Sequence, residues 1–205
     1  MNVNPFLTGI GLAASLTMAN VFAADTLFKF EGGIGSQPLR AVPAGGTVPA
    51  VNTVAGVNPG GAPWPIASLK AEIRTDGRIQ ISAKGILLGG TDNIGTRGGP
   101  RKMVVSLFCR NPATPPAVAG TLQTTPYNSE FVDLDPDGNF KFDSILTNSS
   151  GTIPPFDCGD LIDNRPVLLL RTATPANATT GAPATPGNWF AAGILKSRSD
   201  ESKDN

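Results

Sequence analysis

Apolar and polar residues alternate with a period of two along most of the chain after residue 25. Alternation places successive side chains on opposite faces of a strand, so that one face is buried and the other meets solvent. Gly or Pro interrupts nearly every stretch of a dozen residues, which disfavours amphipathic helices. The pattern predicts eight strands: Thr26–Glu31, Leu69–Arg74, Arg78–Leu87, Lys102–Arg110, Glu130–Asp135, Asn139–Ser144, Pro166–Thr172 and Asn188–Leu195. Two short edge pieces are expected at Leu39–Val42 and Leu122–Thr124.

Many short strands separated by turns are typical of sandwiches and barrels. We therefore expect an all-β fold, an antiparallel β-sandwich (immunoglobulin-like or related) of about eight strands. Its loops are long and rich in Gly and Pro, which together number 43 of the 205 residues. The same alternation predicts a core that contains Phe28, Phe30, Phe108, Phe140, Phe142 and Phe190.

Turn residues predict the register of two hairpins. A three-residue loop, Thr75-Asp76-Gly77, would pair Ile73 with Ile79 and keep both apolar sets on one face, whereas a two-residue loop would separate them. Gly77 then occupies the left-handed position of this loop. The same device at Pro136-Asp137-Gly138 would pair Leu134 with Phe140 and Val132 with Phe142.

The first 23 residues have the features of an export signal. They carry no charged side chain, contain the apolar run FLTGIGLAASLTMANVF, and end in a small residue at Ala23. We expect cleavage after Ala23, a β-sandwich domain over residues 24–195, and a disordered polar tail over residues 196–205. No later segment is long and apolar enough to span a membrane, so the mature protein is expected to be secreted or periplasmic.

The two cysteines are expected to form a disulfide. Export exposes the chain to an oxidising compartment, where Cys109 and Cys158 would pair. The alternative is a reactive thiol, but the spacing does not match a CxxC site and no nearby group would lower a thiol pKa.

Charge and composition exclude several functions. The chain has 16 basic and 16 acidic residues and no histidine. Its net charge of zero does not provide the cationic surface of a nucleic-acid binder. Without histidine, and with only two cysteines, it can form neither a histidine general base nor a zinc site of four Cys/His ligands. Carboxylates could serve a hydrolase only if two of them faced each other across a cleft. The candidates are Glu31, Glu72, Glu130, Asp133, Asp143, Asp157, Asp160 and Asp163.

Three segments suggest ligand sites. Asp133, Asp135 and Asp137 match the opening D-x-D-x-D-G of a calcium loop, but Ser144 stands where the bidentate Glu belongs, and a plain hairpin explains the acidic residues as well. Trp64 and Tyr127, with Trp189, could form a sugar-stacking platform, or else pack in the core. The loop over residues 89–99 could cradle an anion, although a simple strand connection fits it better.

Three longer phrases carry a resemblance to known proteins. They are FEGGIGSQPLR (residues 30–40), GVNPGGAPW (residues 56–64) and GNWFAAGI (residues 187–194). Together they resemble a group of short exported bacterial β-rich proteins of unknown function. The resemblance implies an exported β domain and no activity, cofactor or catalytic residue.

The sequence thus predicts an exported, non-enzymatic β-sandwich protein that acts in binding or in surface or extracellular assembly. Its partner would be an unknown extracellular molecule or a second copy of the chain, and no nucleic acid. A carbohydrate-binding module is the alternative, and a carboxylate-based hydrolase is a third hypothesis. No cofactor is expected beyond the weak calcium candidate.

Overall fold

The computed structural model describes residues 24–42, 46, 48–99, 101–111, 120–159, 164–174, 176–177, 179 and 182–196. These residues form eleven strands and no helix. The described part of the chain therefore contains no helix that could cross a membrane. The strands are β1 (Thr26–Gly35), β2 (Leu39–Arg40), β3 (Ala50–Val51), β4 (Ser68–Arg74), β5 (Arg78–Lys84), β6 (Arg101–Phe108), β7 (Tyr127–Asn128), β8 (Val132–Leu134), β9 (Phe140–Ile145), β10 (Val167–Thr174) and β11 (Thr185–Leu195). The expected signal peptide and all but the first residue of the expected tail lie outside the described residues.

One curved sheet contains nine of the strands. Its order is β7-β6-β10-β11-β1-β4-β5-β9, with β8 also paired to β6, and every ladder is antiparallel. The two ends of this path approach each other, since Asn128 and Thr147 exchange hydrogen bonds of 2.8 and 3.0 Å. The sheet is therefore curved nearly to a barrel. The all-β, antiparallel prediction is confirmed, and the two walls of the curved sheet are consistent with a sandwich.

The β4–β5 hairpin forms as predicted. Ile73 pairs with Ile79, and Ala71 pairs with Ile81. Gly77 has φ of +80° and donates to the carbonyl of Arg74 at 3.0 Å. The buried face therefore determined the register, because a slip by one residue would have turned one apolar set to solvent.

The second hairpin confirms the turn but not the ladder beyond it. Gly138 has φ of +75°, and its amide donates to the carbonyl of Asp135. The Asp135 amide donates to the carbonyl of Asn139, and the Asp135 carboxylate accepts from the Asn139 amide. The expected pairing of β8 with β9 is wrong. β8 pairs with β6, placing Leu134 beside Arg101, while β9 pairs with β5. The turn lies where the sheet nearly closes, so its two strands separate to reach different neighbours.

All eight predicted strands are present, with altered ends. The first continues to Gly35 through a bulge between Phe30 and Gly33. The pattern missed β3 and β7, because two-residue strands carry no measurable alternation. Of the two expected edge pieces, the first is β2 and the second contributes a single bridge from Leu122 to Arg110.

The core occupies the interior of the curved sheet and holds the predicted phenylalanines. Phe28, Phe30, Phe140 and Phe190 are buried in the main cluster, against which Phe142 packs. The remaining one, Phe108, belongs to a second cluster on the outer side of β6 and β10, together with Leu169 and Trp189. Residues 54–57 cover this second cluster, which explains why β6 is buried on both faces.

The disulfide between Cys109 and Cys158 is present, as predicted. The two Cα atoms are 4.5 Å apart, and both residues are buried. The carbonyl of Cys158 also accepts a hydrogen bond from the amide of Arg110 at 2.9 Å. The bridge therefore anchors the loop that follows β9 to the end of strand β6.

Candidate functional site

The outward face of four neighbouring strands carries a cluster of charged side chains. Strands β1, β4, β5 and β9 lie side by side in register. Their outward residues form two rows across the strands. The first row is Lys29, Glu72, Gln80 and Asp143, and the second is Glu31, Lys70, Ser82 and Lys141. All eight residues, with Lys196 after β11, line one open groove of about 530 Å³, which we call the charged groove.

Strand alternation places these side chains together. Each row residue alternates with an inward apolar residue of the core, so all eight project to the same side. The inward residues between the two rows are Phe30, Ala71, Ile81 and Phe142, which are paired in the same register. The apolar side chains that face the core thus determine which polar side chains face outward. The arrangement of these polar residues in two rows follows from the register of β4 and β5 with their neighbours.

Ion pairs organise the β1 side of the charged groove. Glu31 lies 3.1 Å from the Lys70 ammonium and 3.4 Å from the Lys196 ammonium. Hydrogen bonds from these two lysines, with their charges, hold the pKa of Glu31 below its ordinary value of 4.5. Glu72 is also engaged, with Arg74 at 3.4 Å and with the Thr26 hydroxyl, which donates at 3.0 Å.

The β9 side of the groove is different. Its neighbour β5 contributes the uncharged Gln80 and Ser82, so Lys141 lies beside Ser82 and Asp143 beside Gln80. Both charged residues are exposed. Among the described residues, neither Lys141 nor Asp143 forms an ion pair. One cation and one anion, about 7 Å apart along the strand, are therefore available to a molecule that enters the groove.

The two carboxyl groups on the β1 side of the charged groove lack the surroundings of a catalytic acid. Acid catalysis at neutral pH needs a carboxyl whose pKa is raised, usually by burial in an apolar pocket. Glu31 is exposed and its pKa is lowered, and Glu72 already accepts two polar contacts. The groove is also shallow and open. Four lysines and three carboxylates in it can instead hold a polar molecule through salt bridges and hydrogen bonds.

Two of the three carboxylates suggested as calcium ligands have other partners, which argues against that interpretation. Asp133 lies 3.1 Å from Lys102. Asp135 accepts hydrogen bonds from the Asn139 amide and side chain, and these lower its pKa. Within the described ranges, no three His, Cys, Asp or Glu residues form a group that could hold a metal ion. The acidic residues belong to β8 and to the turn that follows it.

The sugar-stacking interpretation is corrected for Trp64, because its ring is in the core. Trp64 is 2% exposed and stacks on Phe190 with ring centres 4.1 Å apart. The Arg101 guanidinium lies 5.1 Å from the centre of the Trp64 ring. Tyr127 is half-buried against the main core cluster, and Trp189 is buried in the second one. These rings do not form an exposed platform.

The loop over residues 89–99 is held to the protein by its own polar groups. Its amides at Gly89 and Gly95, and the amide of Leu88 just before it, donate to protein carbonyls. Arg97 donates to the carbonyl of Leu134, and Arg101 donates to the carbonyls of Arg97 and Gly98. Because these donors already have partners, the loop is a strand connection and not an anion cradle.

The three phrases that carried the family resemblance meet in space. The amide of Ser36 donates to Phe190, that of Trp64 donates to Ser36, and that of Gly60 donates to Trp189, all at 2.8–3.0 Å. A Cβ atom on Gly60 would lie 2.5 Å from the Phe190 ring, so a glycine is needed there. The cluster is a packing centre around the Trp64–Phe190 stack.

Comparison of the chain with protein-family models, with curated proteins and with solved structures gives no match. The resemblance therefore stays a prediction, and only the geometry of the site bears on its function.

The sequence analysis missed the charged groove, although its signal is present. Three strands carry opposite charges two positions apart, at Lys29 and Glu31, at Lys70 and Glu72, and at Lys141 and Asp143. Spacing by two shows that each pair shares a face. It does not show that β1, β4, β5 and β9 are neighbours, since β1 and β9 are more than 100 residues apart.

Proposed function

We propose that this chain is an exported, non-enzymatic protein that acts by binding or assembly, and that the charged groove is its binding surface. The observation that carries the proposal is the pair Lys141 and Asp143, which are exposed, opposite in charge and without an ion pair among the described residues. Such groups bind a complementary polar partner at a small desolvation cost.

Three further observations support the proposal. The bridge between Asn128 and Thr147 closes part of the sheet edge, which reduces the edge open to the addition of a strand. The carboxylates of the groove are exposed or already paired, and the chain has no histidine to act as a base. The buried disulfide favours an oxidising compartment, in agreement with the expected export signal.

Binding is tested by nuclear magnetic resonance titration of the ¹⁵N-labelled protein at low salt. The probes are a peptide of alternating Lys and Asp, a polyglutamate peptide, a polylysine peptide and a neutral cello-oligosaccharide. We expect the alternating peptide to shift amide signals of β5 and β9. The double variant Lys141→Ala with Asp143→Ala should lose these shifts. The matched control, Lys102→Ala with Asp133→Ala, removes an exposed pair elsewhere and should keep them.

Other outcomes separate the alternatives. Shifts at the groove with the oligosaccharide alone would favour a carbohydrate-binding module. No shift with any probe, together with no self-association, would contradict binding through this surface. Export is tested separately by mass spectrometry of the protein recovered from outside the cytoplasm, which should begin at Ala24 and contain the Cys109–Cys158 disulfide. A reduced protein that retains Met1 would contradict export.

A further inference from the structure

The charged groove is complementary to itself. In each of its four strands, the two outward residues are a matched pair: Lys29 with Glu31, Glu72 with Lys70, Asp143 with Lys141, and the uncharged Gln80 with Ser82. Three of the pairs are opposite charges and the fourth can exchange hydrogen bonds. The first row is therefore the electrostatic complement of the second row, strand by strand.

This pattern has a simple consequence for symmetry. A two-fold axis that crosses the four strands above Phe30, Ala71, Ile81 and Phe142 exchanges the two rows. A second copy rotated about that axis would place its first row over the second row of the original copy. Every charged residue of the two rows would then face a residue of opposite charge, as a self-complementary, isologous interface requires.

Contacts within one chain explain only part of the alternation. On β1 and β4, opposite charges form ion pairs within one chain, as the Lys70–Glu31 pair shows. On β9 they do not, because Ser82 and Gln80 separate Lys141 and Asp143 from the charges of β4. In the two-fold arrangement, Lys141 would face Asp143 of the second copy, and Asp143 would face its Lys141. A second copy therefore gives these two residues the charged partners that the described residues do not provide.

We propose that the charged groove binds the charged groove of a second copy of this chain about this two-fold axis. The inference rests on the proposed function and names the partner of the same surface. The four strands span about 14 Å, and the rows are about 7 Å apart. The contact would bury on the order of 300 Å² per copy, well below the roughly 800 Å² of a stable interface. Association should therefore be weak, reversible and sensitive to salt.

The first test is sedimentation equilibrium over a range of protein concentrations. At about 20 mM salt the average mass should rise with concentration, and at about 1 M salt, where screening acts over roughly 3 Å, it should return to that of the monomer. Lys141→Glu should lower the association constant at least roughly tenfold, because it replaces two attractive contacts with two repulsive ones. The matched control Lys102→Glu should not.

The decisive variant reverses the pair, with Lys141→Asp and Asp143→Lys in one chain. Its composition and net charge are those of the original, and both positions are exposed, so circular dichroism and urea unfolding should not change. The reversed chain should associate with itself as the original does. It should not associate with the original chain, because like charges would then face each other, and fluorescence energy transfer between labelled chains measures this.

The outcomes distinguish the inference from the proposed function. A monomer at every concentration and salt, or a reversed chain that mixes freely with the original, would overturn the two-fold interface. If the titration with the alternating peptide still shifts the groove signals, the proposed function stands and only its partner changes. If neither occurs, both fail.

Discussion

Gly138 provides a sharp test of the fold, because the turn needs a glycine there for two separate reasons. Its φ of +75° is left-handed, which costs a residue with a Cβ about 1–2 kcal/mol. A Cβ atom would also lie 2.5 Å from the carbonyl oxygen and 2.8 Å from the amide nitrogen of Ile86. Ile86 is fully buried and donates to the Gly138 carbonyl at 2.8 Å, so its backbone cannot retreat without losing this bond.

The matched position is Gly95. Its φ is +78°, and a Cβ atom there would meet nothing within 4 Å. Gly95→Ala should therefore cost only the backbone term, about 1–2 kcal/mol. Gly138→Ala should cost that amount, about 1 kcal/mol for the hydrogen bond, and about 1–3 kcal/mol for overpacking. We expect about 3–6 kcal/mol in all for this variant.

Urea unfolding followed by circular dichroism measures both variants under identical conditions. With a slope of about 2 kcal/mol per M, the two midpoints should differ by about 1–2 M. Equal losses at Gly138 and Gly95 would show that the segment 85–86 does not pack against the turn. That result would refute the contact by which this turn is tied to the chain that follows β5.

Three further predictions concern the disulfide, the turn and the core. Replacing Cys109 and Cys158 with alanine should cost about 4 kcal/mol in urea unfolding, because the loop they close spans a separation of 49 residues; a loss below about 1 kcal/mol would contradict this. Because the pKa of Asp135 is lowered in the folded state, its ionised carboxylate adds to the free energy of unfolding above pH 3.8. This stabilisation is lost as the pH falls through the folded pKa. Asp135→Asn should flatten that part of the acid dependence of unfolding, and an unchanged curve would argue against it. Trp64→Ala should cost about 3–5 kcal/mol in the same assay, whereas an exposed ring would cost little.

The sequence was most informative where the physics is local. The loop Thr75-Asp76-Gly77 and the alternation on either side of it led to the correct pairing of Ile73 with Ile79. The same reasoning predicted the turn at Gly138 but assigned its strands to each other. Local sequence determines how a turn bends, whereas the neighbours of its strands depend on how the whole sheet closes.

Side-chain environment was harder to infer than strand position. Trp64 lies between two prolines, and that context fits an exposed ring as well as a buried one. Its burial depends on Phe190 and Arg101, which belong to segments far away in the chain. Only a tertiary contact could therefore distinguish the sugar platform from the core.

The sequence by itself determined the eight predicted strands, the face that each buries, one hairpin register and the disulfide. These follow from a period of two, from turn residues and from a chain with only two cysteines. The tertiary structure alone decided the order of the strands and, with it, the charged groove. Pairing between distant strands is governed by the packing of both faces at once, which no single segment encodes. Charges that only alternate in the sequence therefore form two complementary rows because β1, β4, β5 and β9 lie side by side.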